Sequence, residues 1–159
     1  RGLGDVYKRQ VIVQQWIEGV ELAVSVIGTG WDAHALPPVE IVPKRGLYDT
    51  AARMDASLVD YYAPVRNESL SSNEADAQAI RAEIERAVLE VYRAYGLRDL
   101  GRIDLIWDGA QARVMETNVS PGMTETSLFP AACKAGGLSL SAVLNELVSN
   151  AKERGAVFC

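Results

Sequence analysis

The sequence predicts an α+β domain in which antiparallel strands carry helices packed on one side. Three observations predict it. β-Branched runs separated by short turn signals fill the first third of the chain and return near residue 100. A single long helical pattern lies between them. Two further helical segments close the chain. With 159 residues, 48% of them hydrophobic and 23% charged, the chain suffices for one buried core.

Arg1–Gln10 (RGLGDVYKRQ) are polar and aperiodic and abut a strand without a turn signal. They are expected to be a non-native or unassigned leader and take no part in the site reasoning. VIVQQWI, from Val11, and VELAVSVIG read as strands joined at Glu18-Gly19. ALPPVEIVP reads as a third strand, whose Pro37-Pro38 pair suits an edge or a bulge because proline donates nothing to a ladder. Residues 44–71 show no period and read as a long loop, of a length that is functional or hides an element. Asn73–Tyr95 reads as a helix with one apolar stripe: Ile80, Ile84, Ala87, Val88, Val91, Tyr92 and Tyr95. Ser72 or Asn73 caps its start, and Gly96 supplies a left-handed stop. GRIDLIW and ARVMETN follow as two strands divided by Asp108-Gly109. A short helix is expected over Ser127–Ala135. A last one runs over Ser139–Glu153, with Val143, Leu144, Leu147 and Val148 inward.

The formal charge of -5, from 16 Lys and Arg against 21 Asp and Glu, argues against nucleic acid as a partner. No apolar run reaches bilayer-spanning length, and no signal-peptide pattern is present, so no membrane partner and a cytoplasmic location are expected. Two cysteines, Cys133 and Cys159, make neither a disulfide framework nor a metal site and are expected to be free thiols.

The most informative residues are Arg102, Asp104, Glu116 and Asn118. Residues two apart in a strand share a face. Opposed residues of an antiparallel pair keep a constant index sum, and Arg102 with Asn118 and Asp104 with Glu116 satisfy the same sum. One register centred on Ala110, with an odd-length turn such as Gly109–Gln111, therefore puts all four on one face. Opposed Cβ atoms then lie about 5 Å apart. Two carboxylates and an amide oxygen at that spacing are hard ligands suited to Mg²⁺ with substrate phosphates. Alternation along a half-buried strand would also give a solvated polar face without any ligand. Asp104 opposite Glu116 weighs against that, since like charges repel unless a cation or an arginine sits between them.

NVSPGMTETSLFP comes next. Pro121-Gly122 fits the centre of a type II turn, and Thr124–Ser127 lead into a helix start whose free N–H groups favour an anion. An ordinary strand-to-helix connection with a capping hydroxyl fits the same residues.

GRIDLIWDG followed by METNVSPGMTETSLFPAACKAGGLS resembles the C-terminal signature of D-alanine–D-alanine ligases, which have the ATP-grasp fold. VIVQQWIEGVELAVSVIG, ALPPVEIVP and LYDTAARM resemble that family's preceding segments in the same order, so the likeness runs over Val11–Val148. The resemblance implies that Asp104, Glu116 and Asn118 hold two Mg²⁺ ions (Mn²⁺ is also allowed), with Glu116 shared. It implies that Arg102 and the N–H of Gly122 stabilise a tetrahedral oxyanion. Ser127 and the N–H of Leu128 would hold the second substrate's carboxylate. ATP would lie against the Gln14, Gln15, Trp16 and Ile17 backbone, with Glu21 on the ribose and Ile106 and Met115 around the adenine. Arg53 stands where a phosphate-contacting lysine is usual, and the two are not interchangeable. Met54 stands where a tyrosine near the second substrate is common, and Gln14 where a glutamate is.

The implied activity is ATP-dependent joining of two D-alanines through an acyl phosphate, for peptidoglycan precursors. The implied partners are D-alanine and ATP, with a homodimer allowed for the full-length enzyme. Residues 11–159 would be the C-terminal part of the ATP-grasp domain, without the substrate domain and phosphate loop, and inactive alone. The alternatives are another ligase of the fold, such as a D-alanine–D-lactate type, and a nucleotide-binding module without catalysis.

Overall fold

The computed structural model describes residues 13–46, 48 and 55–155. Arg1–Gln10, Arg53, Met54 and Cys159 lie outside the described residues. Among the described residues there is one antiparallel sheet. Its strands are β1 (Val20–Ile27), β2 (His34–Ala35), β3 (Val39–Pro43), β4 (Val59–Tyr62), β5 (Leu100–Trp107) and β6 (Ala112–Asn118). They lie in the order β4-β3-β1-β5-β6, with β2 also paired to β1. Four helices accompany it: α1 (Asn67–Leu70), α2 (Glu74–Ala94), α3 (Leu128–Ala135) and α4 (Leu140–Arg154).

β1 is the central strand and its alternation builds two cores. Leu22, Val24 and Val26 join Ile103, Leu105 and Trp107 of β5 under Ile84, Val88 and Tyr92 of α2. Ala23 and Ile27 join Val39 and Ile41 of β3 under Leu128, Phe129, Ala132 and Cys133 of α3. The antiparallel α+β architecture is as expected. The helices are not on one side, however: α2 covers one face, and α3 with α4 the other. β1 is buried on both faces, without interruption from Leu22 to Val26 and with Ser25 the polar residue in that run, and a strand of that kind needs cover on both.

Helix α2 starts where the pattern put it. The Asn73 side chain accepts from the N–H groups of Ala75 and Asp76 at 2.9 and 3.3 Å, satisfying donors that a helix start leaves open. Gly96, at φ 63°, ends it. Tyr95 is exposed rather than part of the stripe, while Tyr92 is fully buried and donates to the Gly28 carbonyl at 3.0 Å. Burial, and then the charge of Asp99, pushes the Tyr92 phenol up to about 12.

Other expectations need correction. Val13–Glu18 is not a strand; it pairs with no ladder, and Val13 and Trp16 are 90% and 66% exposed. The loop expected over 44–71 contains a short 3-10 turn, β4 and α1. β4 was illegible because its four residues are too few to show a period. Pro37-Pro38 separates β2 from β3, and β3 is an interior strand. The inner face of α4 is Leu140, Val143 and Leu147; Leu144 and Val148 are 37% and 55% exposed. The thiol of Cys133 is free and buried, and burial pushes its pKa up.

β3 is tied to α1 by the buried Glu40. Its carboxylate accepts from Arg66 Nε and Nη2 at 3.0 and 2.7 Å, from Ser69 Oγ at 2.7 Å and from the Arg66 N–H at 3.3 Å. Burial pushes the carboxyl up, but the bonds from Arg66 and Ser69 outweigh it and hold Glu40 below the usual glutamate range. Glu40→Gln is expected to destabilise the protein by about 2 kcal/mol. That is below the usual cost of breaking a buried pair because Arg66 is partly solvated. The thermal midpoint should fall by roughly 4–8 °C at neutral pH. A lowered folded pKa gives stability that is complete above the unfolded value and is lost as pH falls through the folded one. The gap between wild type and variant should therefore close below about pH 4. A gap that persisted at pH 2 would contradict the assignment.

Candidate active site

The site lies on the face of the sheet that also carries α3. β5 and β6 pair in the expected register where it matters: Arg102 opposite Asn118 and Asp104 opposite Glu116. Nearer the turn the register shifts by one, with Leu105 opposite Val114 and Trp107 opposite Ala112. The connection is therefore Asp108–Gln111, not an odd-length turn centred on Ala110. Asp108 fixes it. Its carboxylate accepts from Arg113 Nε at 2.6 Å and from the Gln111 and Ala110 N–H groups at 2.8 and 2.9 Å. Arg113 first, and those amides after it, hold its pKa at about 2.

The extra residue in the shifted register is Met115. Plain alternation would send Met115 and Glu116 to opposite faces. The bulge breaks that alternation, and both line the same cavity.

On the neighbouring strand, Ala23 lies opposite Asp104 and Ser25 opposite Arg102. These small buried residues leave room for the longer side chains on β5. Arg102 donates from Nε and Nη2 to the two oxygens of Asp104, each at 2.7 Å. The side chains are only 14% and 17% exposed. Burial lowers the Arg102 pKa, but Asp104 first, and the charge of Glu116 after it, raise it above the ordinary arginine value. The guanidinium is thus the cation that lets two carboxylates face one another across the hairpin.

These groups open into a cavity of about 840 Å³. It gathers Arg102, Asp104, Ile106, Met115 and Glu116 from the hairpin and Glu21 from β1. Gly122 and Ser127 come from the following turn, Leu128 from the start of α3, and Gln14 and Trp16 from the leading segment. Glu21 is opposite Ile106 in the β1–β5 register. Gln15 and Ile17 instead line a smaller hollow of about 350 Å³ beside Asp108 and Arg113, with Trp16 touching both. Asn118 does not line the cavity. Its Oδ1 accepts from the Ser120 N–H at 2.9 Å, so it shapes the exit from β6.

Gly122 corrects the turn expectation. It is not among the positive-φ glycines, so no type II turn demands it. Space does: a Cβ there would lie 2.8 Å from Ser127 Oγ. Ser127 stands at the N-cap of α3, yet its side chain makes no cap bond.

Tyr48, Tyr61, Ile41 and Leu105 also line the cavity and were not assigned to the site from the sequence, while Thr124 and Thr126, lining it too, were read only as part of the helix start. Tyr48 and Tyr61 meet hydroxyl to hydroxyl at 2.8 Å with rings edge to face. Tyr61 pairs with Ile41 on β3 and could have been found only by recognising β4.

The family model described as D-ala D-ala ligase C-terminus matches residues 5–149. The chain belongs to the D-ala D-ala ligase C-terminus family. The match takes in residues 5–10 of the leader. Over 144 residues the chain is 39% identical to the D-alanine--D-alanine ligase of Bordetella petrii, covering 89% of this chain and 41% of that protein. Among solved structures, the D-alanine-D-alanine ligase from Coxiella burnetii matches with a TM-score of 0.68 at 22% identity. It covers 89% of this chain and 34% of that one. The VanG D-Ala:D-Ser ligase from Enterococcus faecalis matches with a TM-score of 0.65 at 25% identity, covering 85% and 37%. The chain therefore spans less than half the length of these relatives, and its fold is that of the C-terminal part of the ATP-grasp fold.

For a divalent cation, the donor chemistry of the site fits. Asp104 and Glu116 are hard oxygen donors facing one another. A carboxylate has about four lone-pair positions, and Arg102 takes one on each oxygen of Asp104, so the ion pair leaves Asp104 able to bind a metal.

Proposed function

We propose that this chain supplies the metal, nucleotide and second-substrate walls of an ATP-dependent D-alanine–D-alanine ligase. The observation that carries the reading is the single cavity. One wall holds acid and arginine (Asp104, Glu116, Arg102), another an apolar slot beside a carboxylate (Ile106, Met115, Glu21). A third is a helix start with a hydroxyl (Ser127, Leu128). A nucleotide needs the first two, and an amino-acid carboxylate suits the third.

The chemistry divides accordingly. Asp104, Glu116 and, at the end of β6, the Asn118 amide would hold Mg²⁺. The metal's contribution is to offset charge on the phosphates. Ile106 and Met115 would sandwich the adenine, Glu21 hold the ribose, and the Gln14–Ile17 backbone meet the adenine edge. Arg53 would contact phosphate. In the reaction, the carboxylate of the first D-alanine takes the γ-phosphoryl group of ATP, giving an acyl phosphate. The amine of the second D-alanine attacks its carbonyl, and phosphate leaves. Arg102 and the Gly122 N–H would stabilise the oxyanion that forms at that carbonyl. Ser127 and the Leu128 N–H would hold the second D-alanine by its carboxylate.

No helix among the described residues is long and apolar enough to cross a membrane. A cytoplasmic reaction and a homodimer of the complete enzyme belong to the same reading.

The test is product analysis with the gene's full product, ATP, Mg²⁺ and D-alanine. The expected outcome is D-alanyl-D-alanine with one ADP and one phosphate per bond. Competition with D-serine and D-lactate reads the second substrate directly. Dominant formation of a D-alanyl-D-serine or D-alanyl-D-lactate product would overturn the substrate assignment, and ATP binding without any ligation would overturn the enzymatic one.

A further inference from the structure

The hydroxyl of Ser127 is not left to find its own direction. The Thr124 N–H donates to Ser127 Oγ at 3.2 Å, and Thr124 Oγ1 meets the same oxygen at 2.8 Å. Thr126 Oγ1 stands behind Thr124 Oγ1 at 3.4 Å, and the Ser127 N–H returns to the Thr124 carbonyl at 2.9 Å. A serine hydroxyl has one donor and two acceptor positions. The Thr124 N–H occupies one acceptor position, and in the arrangement where the Thr124 hydroxyl donates to the other, only the serine proton is left. That proton is then available to an anion in the cavity. The alternative use of Ser127, capping α3 through its own side chain, is not adopted. Pro130 contributes to this: it occupies the third helical position, where a cap bond commonly goes, and has no N–H.

We infer that Thr124 is a positioning residue for the second substrate, filling both acceptor positions of Ser127 Oγ so that the serine can only donate to the substrate carboxylate. The inference rests on the reading of Ser127 as the carboxylate-binding residue. Gly122 belongs to the same device, since any Cβ there would push the hydroxyl away.

The test uses the gene's full product with D-alanine as the varied substrate and Thr124→Val, Thr124→Ser and Ser127→Ala as variants. Thr124→Val keeps shape and the backbone N–H but removes the hydroxyl. It is expected to raise KM for the second D-alanine about fivefold, the scale of one hydrogen bond, with KM for ATP unchanged. Thr124→Ser restores the hydroxyl and should return KM to within about twofold. In a Ser127→Ala background Thr124→Val should add nothing, because its effect passes through the serine. If Ser127→Ala raises KM and Thr124→Val does not, the positioning role is overturned while the substrate site stands. The role is also overturned if Thr124→Val acts equally in the Ser127→Ala background. If Ser127→Ala leaves KM unchanged, or the wild type does not turn over D-alanine, the underlying reading fails and the inference with it.

Discussion

Replacing Glu116 by glutamine in the gene's full product is expected to lower kcat by on the order of 10²-fold or more, and Asn118→Ala to cost less. Glu116 faces Asp104 across the hairpin and lines the cavity. Under the proposed assignment it serves both metal ions, so neutralising it weakens two sites at once. Asn118 carries no charge, and its Oδ1 already accepts from the Ser120 N–H. The loss should therefore appear in kcat and in a higher Mg²⁺ requirement, less in KM for ATP. The measurement is a Mg²⁺ titration of initial rate for both variants. Near-wild-type turnover of Glu116→Gln at low Mg²⁺, with Asn118→Ala impaired, would reassign the roles along the hairpin.

Arg102→Lys is expected to cost about 10²-fold in kcat, with KM for ATP changed by less than about threefold. Lysine keeps a positive charge between Asp104 and Glu116, so the repulsion between the carboxylates stays largely offset and the thermal midpoint should hold. What is lost is the planar fork that makes two bonds at 2.7 Å to Asp104, and with it a fixed donor aimed at the cavity. Turnover near wild type in Arg102→Lys would show that charge alone suffices and that Arg102 is not an oriented oxyanion donor. A collapse in thermal stability would show that the fork to Asp104, and not charge alone, holds the hairpin together.

How far the sequence reaches depends on whether a signal is local. The α2 helix was legible because its stripe, its Asn73 cap and its Gly96 stop lie within one segment. The pairing of Arg102 with Asn118 and of Asp104 with Glu116 was legible because antiparallel register is arithmetic. The bulge at Met115 was not, since register arithmetic assumes that no residue is left over. Yet the bulge is what brings Met115 round to the cavity beside Glu116. β4 was missed because a four-residue strand has too few positions to show a period, and Tyr61 went with it. The Gly122 turn was read as a matter of backbone conformation, where the structure shows a matter of space. Asn118 was placed on the right face by register, but a face does not say which atom a flexible amide will bond. Cover on both sides of β1 could have been read from the unbroken apolar run LAV of Leu22–Val24, which strict alternation would not produce.

Under the proposed function the Asp104–Glu116 face holds the metal against the ATP phosphates. The direct measurement is a crystal structure of the gene's full product with a non-hydrolysable ATP analogue and Mn²⁺, the metal located by its anomalous signal. Manganese is expected on oxygens of both Asp104 and Glu116 and on the analogue's phosphates, with the adenine between Ile106 and Met115. Manganese bound elsewhere, with the nucleotide outside this cavity and the hairpin carboxylates holding only Arg102, would contradict it.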